Sequence, residues 1–361
     1  MVEGIIPSEI GEEPEAIRRT LTTSRPAARR VAERLRTNQT SRLFLIGNGT
    51  SFHTCLAGAS EYRRHARPED PAVVPMTAGE FITYPPAFGA ADALIAVSAS
   101  GEFRDVIQAV ERVKGQMLTI GIIHVAESTL AHAADEVIVS DGGPSRVPVM
   151  TKTFASTLVA TQLLLAELLS DDDGNTFVES ASEAADQAAA AIMSASVAVD
   201  SLARRLKDFE HVFVVGAGAG SIAAMEAALK LKEMSLVHAE AAEAWEMESG
   251  AATIIGGGTA VIALALEGSG KATVTNVARH AADWGAHVIG VADAPLFDGS
   301  DLLPVPAAAS EAHSSLVAVP PVALLAYVLG GQRGATPDNP AWVSRYHSQG
   351  LFHILGSELG T

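Results

Sequence analysis

Cysteine is almost absent from this sequence: among 361 residues, Cys55 is the only one with a thiol. A single cysteine cannot form an internal disulfide, and such low cysteine content is typical of cytoplasmic proteins. It also argues against a zinc site built from cysteine and histidine, and the histidines show no HxH or HxxxH spacing. We therefore expect a cytoplasmic protein without a bound metal.

Basic residues are scarce as well. Lysine and arginine together number 25 against 42 acidic residues, which gives a formal net charge of −17. We find no basic stripe, and the strongly acidic balance argues against a nucleic-acid partner, whose phosphates are bound by clustered lysine and arginine. An anionic ligand would have to be held locally, by backbone N–H groups, hydroxyls and one or two cations.

Long apolar runs and targeting signals are the third absence. We find no run of about 18 uncharged apolar residues, the length that spans a bilayer. The opening "MVEGIIPSEIGEEPEAIRRTL" has no basic segment followed by an apolar one, so we expect neither a secretion signal nor a membrane span. The hydrophobic content of 48% and the chain length predict a globular protein with two domains.

Strand-like and helix-like segments alternate along the chain, and the same order occurs twice. "RLFLIGNGTS" and "DALIAVSASGEFRDV" in the first half correspond to "HVFVVGAGAGS" and "TAVIALALEGSGKATV" in the second. This pattern predicts an α/β fold with two tandem domains, each a doubly wound, mainly parallel sheet flanked by helices. The predicted limits are a helical segment (1–37), a first domain (38–172), a helical connection (173–206), a second domain (207–335) and a tail (336–361).

Ligands of such sheets bind beyond the carboxyl ends of the strands. Four loops lie at these positions: 47–53, 98–104, 216–221 and 267–271. None contains a complete dinucleotide fingerprint, so the glycines of "GAGAGS" are only a weak indication of nicotinamide binding. No GxSxG nucleophile elbow occurs, and Cys55 has no identifiable partner base.

Hydroxyl side chains mark two of these loops. Ser98 and Ser100 lie in "SASGE" between a predicted strand and a predicted helix, and Thr50 and Ser51 follow the neighbouring strand. A single loop of this kind is usually an ordinary helix N-cap. Two such loops facing one crevice favour a phosphate site, because hydroxyls and a helix N-terminus bind phosphate where cations are few.

The charges of "EAALKLKEMSLVHAEAAEAWEMESG" permit two interpretations. Glu226, Lys230 and Glu233 share one face of a helix predicted over 222–237, and apolar residues line another face: Met225, Leu229, Met234 and Val237. The pattern by itself favours a solvated face with weak ion pairs. The alternative is a catalytic helix on which Glu233 moves protons at a sugar C1/C2 centre and Lys230 holds sugar oxygens.

Several motifs together resemble the sugar isomerase (SIS) domain family. "GNGTSFHT", "SASGEFRDV", "MTKTF" and "EAALKLKEMSLVHAE" match its motifs in order and spacing, and "SEIGEEPEAIRRTL", "AGEF" and "DNP" match shorter segments. The resemblance covers essentially the whole chain. The chain is similar to the isomerase half of glucosamine-6-phosphate synthases and to the related phosphosugar deaminases. The resemblance implies two tandem SIS domains.

The resemblance also implies functional residues. Glu233 matches the catalytic base of a 1,2-proton shuttle, and Lys230 matches a lysine near the sugar. In the tail, Arg345 aligns with a family lysine, and we add His347, two residues on, as a further candidate catalytic residue. The implied phosphate-binding residues are Thr50, Ser51, Ser98 and Ser100. Further implied substrate contacts are Gly49, Ala99, Thr151 and Ser249.

Four positions depart from the family pattern. Ser249 stands where the family has a histidine that serves ring opening or acid catalysis, and Phe103 replaces the threonine that ends the phosphate loop. Met150 replaces the serine before "TK", and Arg345 replaces the tail lysine. An arginine stays protonated and cannot readily form an imine, so a Schiff-base step there is not expected. His347 is the residue that could supply the missing proton transfer.

The resemblance thus implies a phosphosugar-processing enzyme that needs neither a metal nor an organic cofactor. The alternative is a non-catalytic phosphosugar-binding or regulatory protein that acts through a protein partner. No glutaminase domain with an N-terminal nucleophilic cysteine is present, so we do not expect glutamine-dependent amination by this chain alone. In this family the active site often borrows residues from a neighbouring subunit, so a homodimer with a shared active site is expected.

Overall fold

The structure, a computed structural model, describes residues 2–307 and 309–343. Three helices precede the first strand: α1 (Ile5–Gly11), α2 (Glu13–Thr23) and α3 (Arg25–Thr37). The elements up to the middle of the chain are β1 (Arg42–Gly47), α4 (Thr50–His65), β2 (Ala72–Thr77), α5 (Ala78–Thr83), β3 (Asp92–Ser98), α6 (Arg104–Val113), β4 (Leu118–Ile123), α7 (Thr129–Ala133), β5 (Glu136–Val139), α8 (Lys152–Leu169) and α9 (Asp171–Leu206). The remaining elements are β6 (His211–Gly216), α10 (Ala219–Ser235), β7 (His238–Glu243), β8 (Thr259–Leu264), α11 (Lys271–Asp283), β9 (His287–Ala292), β10 (Asp301–Pro304), α12 (Ser314–Val317) and α13 (Val319–Gln332), with short 3₁₀ helices at Glu246–Ser249, Ala251–Ile254 and Glu311–His313.

The first five strands form one parallel sheet in the order β2-β1-β3-β4-β5. Its inner strands are apolar runs without polar alternation, and every residue of β3 and β4 is buried. Such runs are typical of parallel strands covered by helices on both faces. The chain order reverses between β1 and β3, which places a ligand crevice beyond the carboxyl ends of these two strands.

The second sheet repeats this topology in the order β7-β6-β8-β9-β10, again entirely parallel. The registers match as well: Leu45 pairs with Ile95 in the first sheet, and Val214 pairs with Ile262 in the second. The predicted fold class is confirmed. The corresponding crevice lies beyond the carboxyl ends of β6 and β8.

The chain divides into two units that are not continuous in sequence. The N-terminal unit contains Glu15–Ser145 and Lys152–Ser182 and carries the first sheet. The C-terminal unit contains residues 2–14, Arg146–Thr151 and Glu183–Ala341 and carries the second sheet. Residues 2–14 therefore belong to a unit whose other parts follow more than a hundred residues later in the chain.

Some elements differ from the sequence-based prediction. Helix α9 begins at Asp171, two residues before the predicted helical connection (173–206), because the Ser170 hydroxyl accepts a hydrogen bond from the Asp173 N–H (3.0 Å) and the carboxylates of the first turn favour a helix N-terminus. The stretch "HAEAAE" forms edge strand β7, which the sequence did not reveal. Helix α10 begins earlier than predicted, at Ala219, and ends at Ser235.

The expectation that no apolar run could span a bilayer is also wrong. In the described part of the chain, the segment Glu311–Gln332 is long and apolar enough to cross a membrane, judged by length and composition only. However, 83% of its apolar window is buried inside the protein. α13 packs against α10 in the C-terminal unit. The apolar character of this stretch is thus accounted for by its position in the core.

Candidate functional site

The turn between β1 and α4 brings two hydroxyls to the crevice of the N-terminal unit. Gly49, the N-cap of α4, has φ 51° and ψ −125°, a conformation that residues with a side chain rarely adopt. Helix α4 therefore starts immediately after the strand, and Thr50 and Ser51 lie in its first turn with 6% and 7% of their surface exposed. These buried hydroxyls are close to a helix N-terminus, where an anion is favoured.

The turn between β3 and α6 lies beside the first one. The Ser98 hydroxyl is buried and accepts a hydrogen bond from the Gly101 N–H (3.1 Å), whereas Ser100 is exposed. The Asn48 side-chain amide donates to Asp105 Oδ2 (2.5 Å) and so ties the two turns together. The structure thus brings the predicted phosphate-binding hydroxyls to neighbouring strand ends.

Other contacts hold the second turn in place. The Ala99 carbonyl accepts hydrogen bonds from the N–H groups of His124 (3.0 Å) and Val125 (3.2 Å). The Glu102 carboxylate accepts hydrogen bonds from the Thr129 N–H and from the Thr129 hydroxyl, each at 2.8 Å. Both bonds lower the pKa of this carboxyl group, and the bond from the backbone N–H has the larger effect. The one carboxylate within the loop is therefore engaged by α7.

A cavity of about 610 Å³ lies at the carboxyl ends of β4 and β5 in the same unit. The two ring nitrogens of His124 lie 3.1 Å and 2.8 Å from the carbonyl oxygens of Ser140 and Gly143. His124 thereby fixes the loop that follows β5. His124 therefore has a structural role in this unit.

The charged face of α10 is buried in the C-terminal unit. Lys230 Nζ lies 3.1 Å from Glu226 Oε1 and 2.8 Å from Glu233 Oε2. The side chains of Lys230 and Glu226 are 1% and 0% exposed, whereas that of Glu233 is 23% exposed. The solvated-face interpretation is therefore wrong for Lys230 and Glu226, because tertiary packing covers them. Met225 and Leu229, on the predicted apolar face, are only partly buried.

A third carboxyl group belongs to this cluster. Glu13, the first residue of α2, is 3% exposed. Burial raises its pKa to about 8, opposed by the charge of Lys230 and assisted by that of Glu226. Burial also opposes the charged form of Lys230, but Glu226 and Glu233 outweigh it and raise the lysine's pKa. At neutral pH the cluster thus holds a protonated Glu13 and a charged Lys230.

This geometry suits proton transfer by Glu233. Its Oε2 is fixed by Lys230, and about a quarter of its side chain is accessible. A carboxylate held by a buried ammonium group and partly exposed to solvent can accept a proton from a substrate and return it to an adjacent atom.

The other predicted site residues are more dispersed. Ser249 is exposed at the end of the 3₁₀ helix Glu246–Ser249, and Thr151 belongs to the C-terminal unit, where its hydroxyl is buried. Phe103 is 46% exposed at the N-cap of α6. Arg345 and His347 lie outside the described residues.

Two features were not found from sequence. Glu13 was missed because only the tertiary fold brings it to Lys230, and no local pattern marks it. Glu311 was missed for the same reason, although it accepts a hydrogen bond from Gly270 at the start of α11. Within residues 2–307 and 309–343, no group of three or more His, Cys, Asp or Glu side chains could hold a metal ion.

Comparison with known proteins gives consistent matches. The sequence matches the SIS domain family over residues 37–167 and 205–298. It is 31% identical over 346 residues to an isomerizing glutamine–fructose-6-phosphate aminotransferase of Aeropyrum pernix. That alignment covers 92% of this chain and 55% of the relative, so the chain spans about half the length of the curated protein it matches.

Solved structures show the same fold. The C-terminal domain of glucosamine-fructose-6-phosphate aminotransferase from Francisella tularensis superimposes with a TM-score of 0.85 at 22% identity, covering 94% of this chain and 99% of that one. A glucosamine-6-phosphate deaminase from Thermotoga maritima has a TM-score of 0.75 at 21% identity, covering 94% and 98%. At these identities the likeness concerns the fold.

Proposed function

Because the chain belongs to the SIS domain family, we propose that it is an enzyme acting on a hexose or amino-sugar 6-phosphate. The proposed reaction is aldose–ketose isomerisation, or isomerisation coupled to the loss or gain of an amine at C2. The aminotransferase relative and the deaminase with the same fold support this substrate class. The observation that carries the proposal is the Glu226–Lys230–Glu233 arrangement, in which Glu233 alone keeps a quarter of its side chain accessible.

The substrate phosphate is assigned to the crevice of the N-terminal unit. Thr50, Ser51, Ser98 and Ser100 supply hydroxyls, and the N-terminus of α4 supplies a favourable dipole. The side chain of Glu102 is engaged by Thr129, which limits its repulsion of a dianion. This assignment accounts for phosphate binding by a protein of net charge −17.

Glu233 is assigned the role of base. It takes the proton from one of the two adjacent sugar carbons while the neighbouring carbonyl or imine group gains a proton from solvent, so that a cis-enediol or enediolamine forms. The carbon-bound proton then returns to the other carbon, and the hydroxyl or amino group on the first carbon releases a proton to solvent as the new double bond forms. Lys230 positions the carboxylate through the 2.8 Å contact with Oε2. This chemistry requires no net oxidation, since the hydrogen removed at one carbon is replaced at its neighbour.

Replacing Glu233 by Gln tests the base. Turnover with fructose 6-phosphate or glucosamine 6-phosphate, with and without ammonia, should fall by about 10²- to 10⁴-fold, the usual contribution of acid–base catalysis. Calorimetric binding of the same phosphosugars should change by less than about threefold, because the amide retains the shape. Lys232→Gln, an exposed position on the same helix, is the control and should leave turnover unchanged. Undiminished turnover in Glu233→Gln would exclude the assignment.

The phosphate assignment is tested separately. The double variant Ser98→Ala/Ser100→Ala should weaken phosphosugar binding by about tenfold or more, since each lost hydrogen bond to a charged group is worth roughly 1.5–3 kcal/mol. Ser269→Ala, an exposed serine in the corresponding loop of the C-terminal unit, should bind as the unchanged chain does. Equal affinity of the double variant and this control would place the phosphate elsewhere.

A non-catalytic phosphosugar-binding protein is the second candidate. It is favoured by Ser249, which is exposed and offers no imidazole where the family resemblance predicts a histidine. Saturable binding of phosphosugars without turnover of any of them would support this candidate. The resemblance further leads us to propose that the protein is cytoplasmic and forms a homodimer. Light scattering of the purified chain can test the homodimer.

A further inference from the structure

The two crevices are built on the same backbone but carry different side chains. Matched strand registers make Gly49 equivalent to Gly218, and these residues have nearly identical dihedrals, φ 51° and 55° with ψ −125° in each. The four hydroxyl positions of the N-terminal unit correspond to residues without hydroxyls in the C-terminal unit: Ala219, Gly220, Ala265 and Glu267. The second crevice thus keeps the helix N-termini but lacks hydroxyls at these four matched positions.

A carboxylate of the chain itself occupies the second crevice. Glu311 Oε2 accepts a hydrogen bond from the N–H of Gly270 (2.9 Å), the N-cap of α11. A Cβ atom built on Gly218, the N-cap of α10, would overlap Oε1 of Glu311, and one built on Gly268 would overlap Oε2. The carboxylate is therefore packed between the N-termini of two helices against glycines that leave room for it.

The backbone holds Glu311 in this position. Its N–H donates to the Glu267 carbonyl (2.8 Å), and the Glu267 N–H donates to the Ala309 carbonyl (3.0 Å). The neighbouring acids Glu267 and Asp293 are paired with Lys271 Nζ at 3.1 Å and 3.2 Å. The Lys271 ammonium group is thus shared by two other carboxylates. The positive ends of two helix dipoles stabilise the negative charge of Glu311.

We propose that the C-terminal crevice is a small-oxyanion site whose resident ligand is the chain's own Glu311 carboxylate. The tethered anion replaces an external one, stabilises the starts of α10 and α11 and closes this crevice to substrate. The substrate phosphate is then bound in the crevice of the N-terminal unit alone, with one phosphosugar per chain. This last consequence rests on the proposed function; the occupancy by Glu311 does not.

Chemical rescue tests the occupancy. Glu311→Ser empties the crevice, and Glu311→Gln fills it without a charge, which makes it the matched control. All chains carry Ser98→Ala/Ser100→Ala, so that anion binding at the N-terminal unit does not contribute. In chloride buffer, Glu311→Ser should melt several degrees below the parent. Added acetate, and in a parallel arm inorganic phosphate, should raise its melting temperature saturably at constant ionic strength.

Neither anion should raise the melting temperature of the parent or of Glu311→Gln by more than chloride does. Hydrogen exchange localises the effect: the peptide containing Gly270 should lose protection in Glu311→Ser and regain it with acetate. If Glu311→Ser does not fold in chloride, its refolding yield in acetate against chloride gives the same readout.

Two results would overturn the proposal. One is an unchanged melting temperature and unchanged Gly270 protection in Glu311→Ser. The other is a response to acetate that is no larger than that of the Glu311→Gln control. Because no phosphosugar or turnover enters these measurements, either result would leave the assignments of Glu233 and of the phosphate hydroxyls unaffected.

Discussion

Lys230 is a buried ammonium group whose charge is stabilised by two carboxylates. Burial alone would favour its neutral form, but contacts of 3.1 Å and 2.8 Å to Glu226 and Glu233 outweigh that cost. Because Glu226 is fully buried, it is the carboxylate that fixes the lysine in the core. Glu233 is then positioned by a buried cation, which is the preorganisation that its proposed role as a base would require.

Glu13 gives this cluster a pH-dependent stability. Its pKa rises from 4.5 to about 8 on folding, chiefly through burial. Its contribution to stability is therefore complete below about pH 4.5 and is lost progressively as the pH rises to about 8, since the unfolded chain ionises first. At pH 7 this difference costs about 3 kcal/mol.

Glu13→Gln should remove that cost, because glutamine is neutral in both states. We expect the variant to be more stable than the unchanged chain by about 3 kcal/mol at pH 7 and by less than about 1 kcal/mol at pH 5. Urea unfolding of the C-terminal unit at the two pH values measures the difference. A stability gain that is the same at both pH values would show that ionisation of Glu13 is not its cause.

The elements that sequence patterns predicted are those with local causes. β3 and α6 follow from an apolar β-branched run and a helical period, and the Ser98 and Thr50 loops follow from glycine and hydroxyl spacing. Strand β7 was missed because "HAEAAE" lies at the sheet edge and alternates short apolar and charged residues, a pattern that a helix tolerates equally. The electrostatic coupling of Glu13 to Lys230 was missed because it depends on which elements the fold brings together.

Helices α3 and α8 are tied together by one buried carboxylate in the N-terminal unit. Glu167 on α8 is 1% exposed and binds Arg25 Nε at 2.5 Å and Arg29 Nε at 3.1 Å. Both arginines lie on α3; Arg25 is 21% exposed and Arg29 is 47% exposed, so removing the carboxylate would leave one largely buried positive charge, that of Arg25, without its acidic partner. An uncompensated charge in such a position is costly.

Glu167→Ala should therefore destabilise the N-terminal unit by about 3 kcal/mol. The matched control is Glu136→Ala, since Glu136 pairs with Arg30 and Arg34 of the same helix, which are 58% and 44% exposed. Bridges to exposed arginines are worth less than about 1 kcal/mol. Urea unfolding should show a clearly larger loss in the free energy of unfolding for Glu167→Ala than for Glu136→Ala. Equal losses would mean that the burial of Glu167 does not contribute to the stability of this unit.

The noncontiguous composition of the units has a consequence for the whole chain. Helix α1 packs against α13, and the N–H groups of Ile5 and Ile6 donate to the carboxylate of Asp338 at 3.1 Å and 2.8 Å. Tyr327 also donates to this carboxylate, at 3.0 Å. Helix α1 is thus part of the C-terminal unit, which cannot be completed until both α1 and the segment that carries α13 and Asp338 are available.

Substitutions in α1 should accordingly destabilise the C-terminal unit. Ile6 is fully buried and Ile5 is 38% exposed, which makes the two neighbours a matched pair. Ile6→Ala should cost about 2–5 kcal/mol, the range for removing a buried large aliphatic side chain, whereas Ile5→Ala should cost less than about 1 kcal/mol. In hydrogen exchange, Ile6→Ala should lower protection in α13, far away in sequence, and leave β3 unchanged. Loss confined to α1 would instead show that this helix is only peripherally attached to its unit.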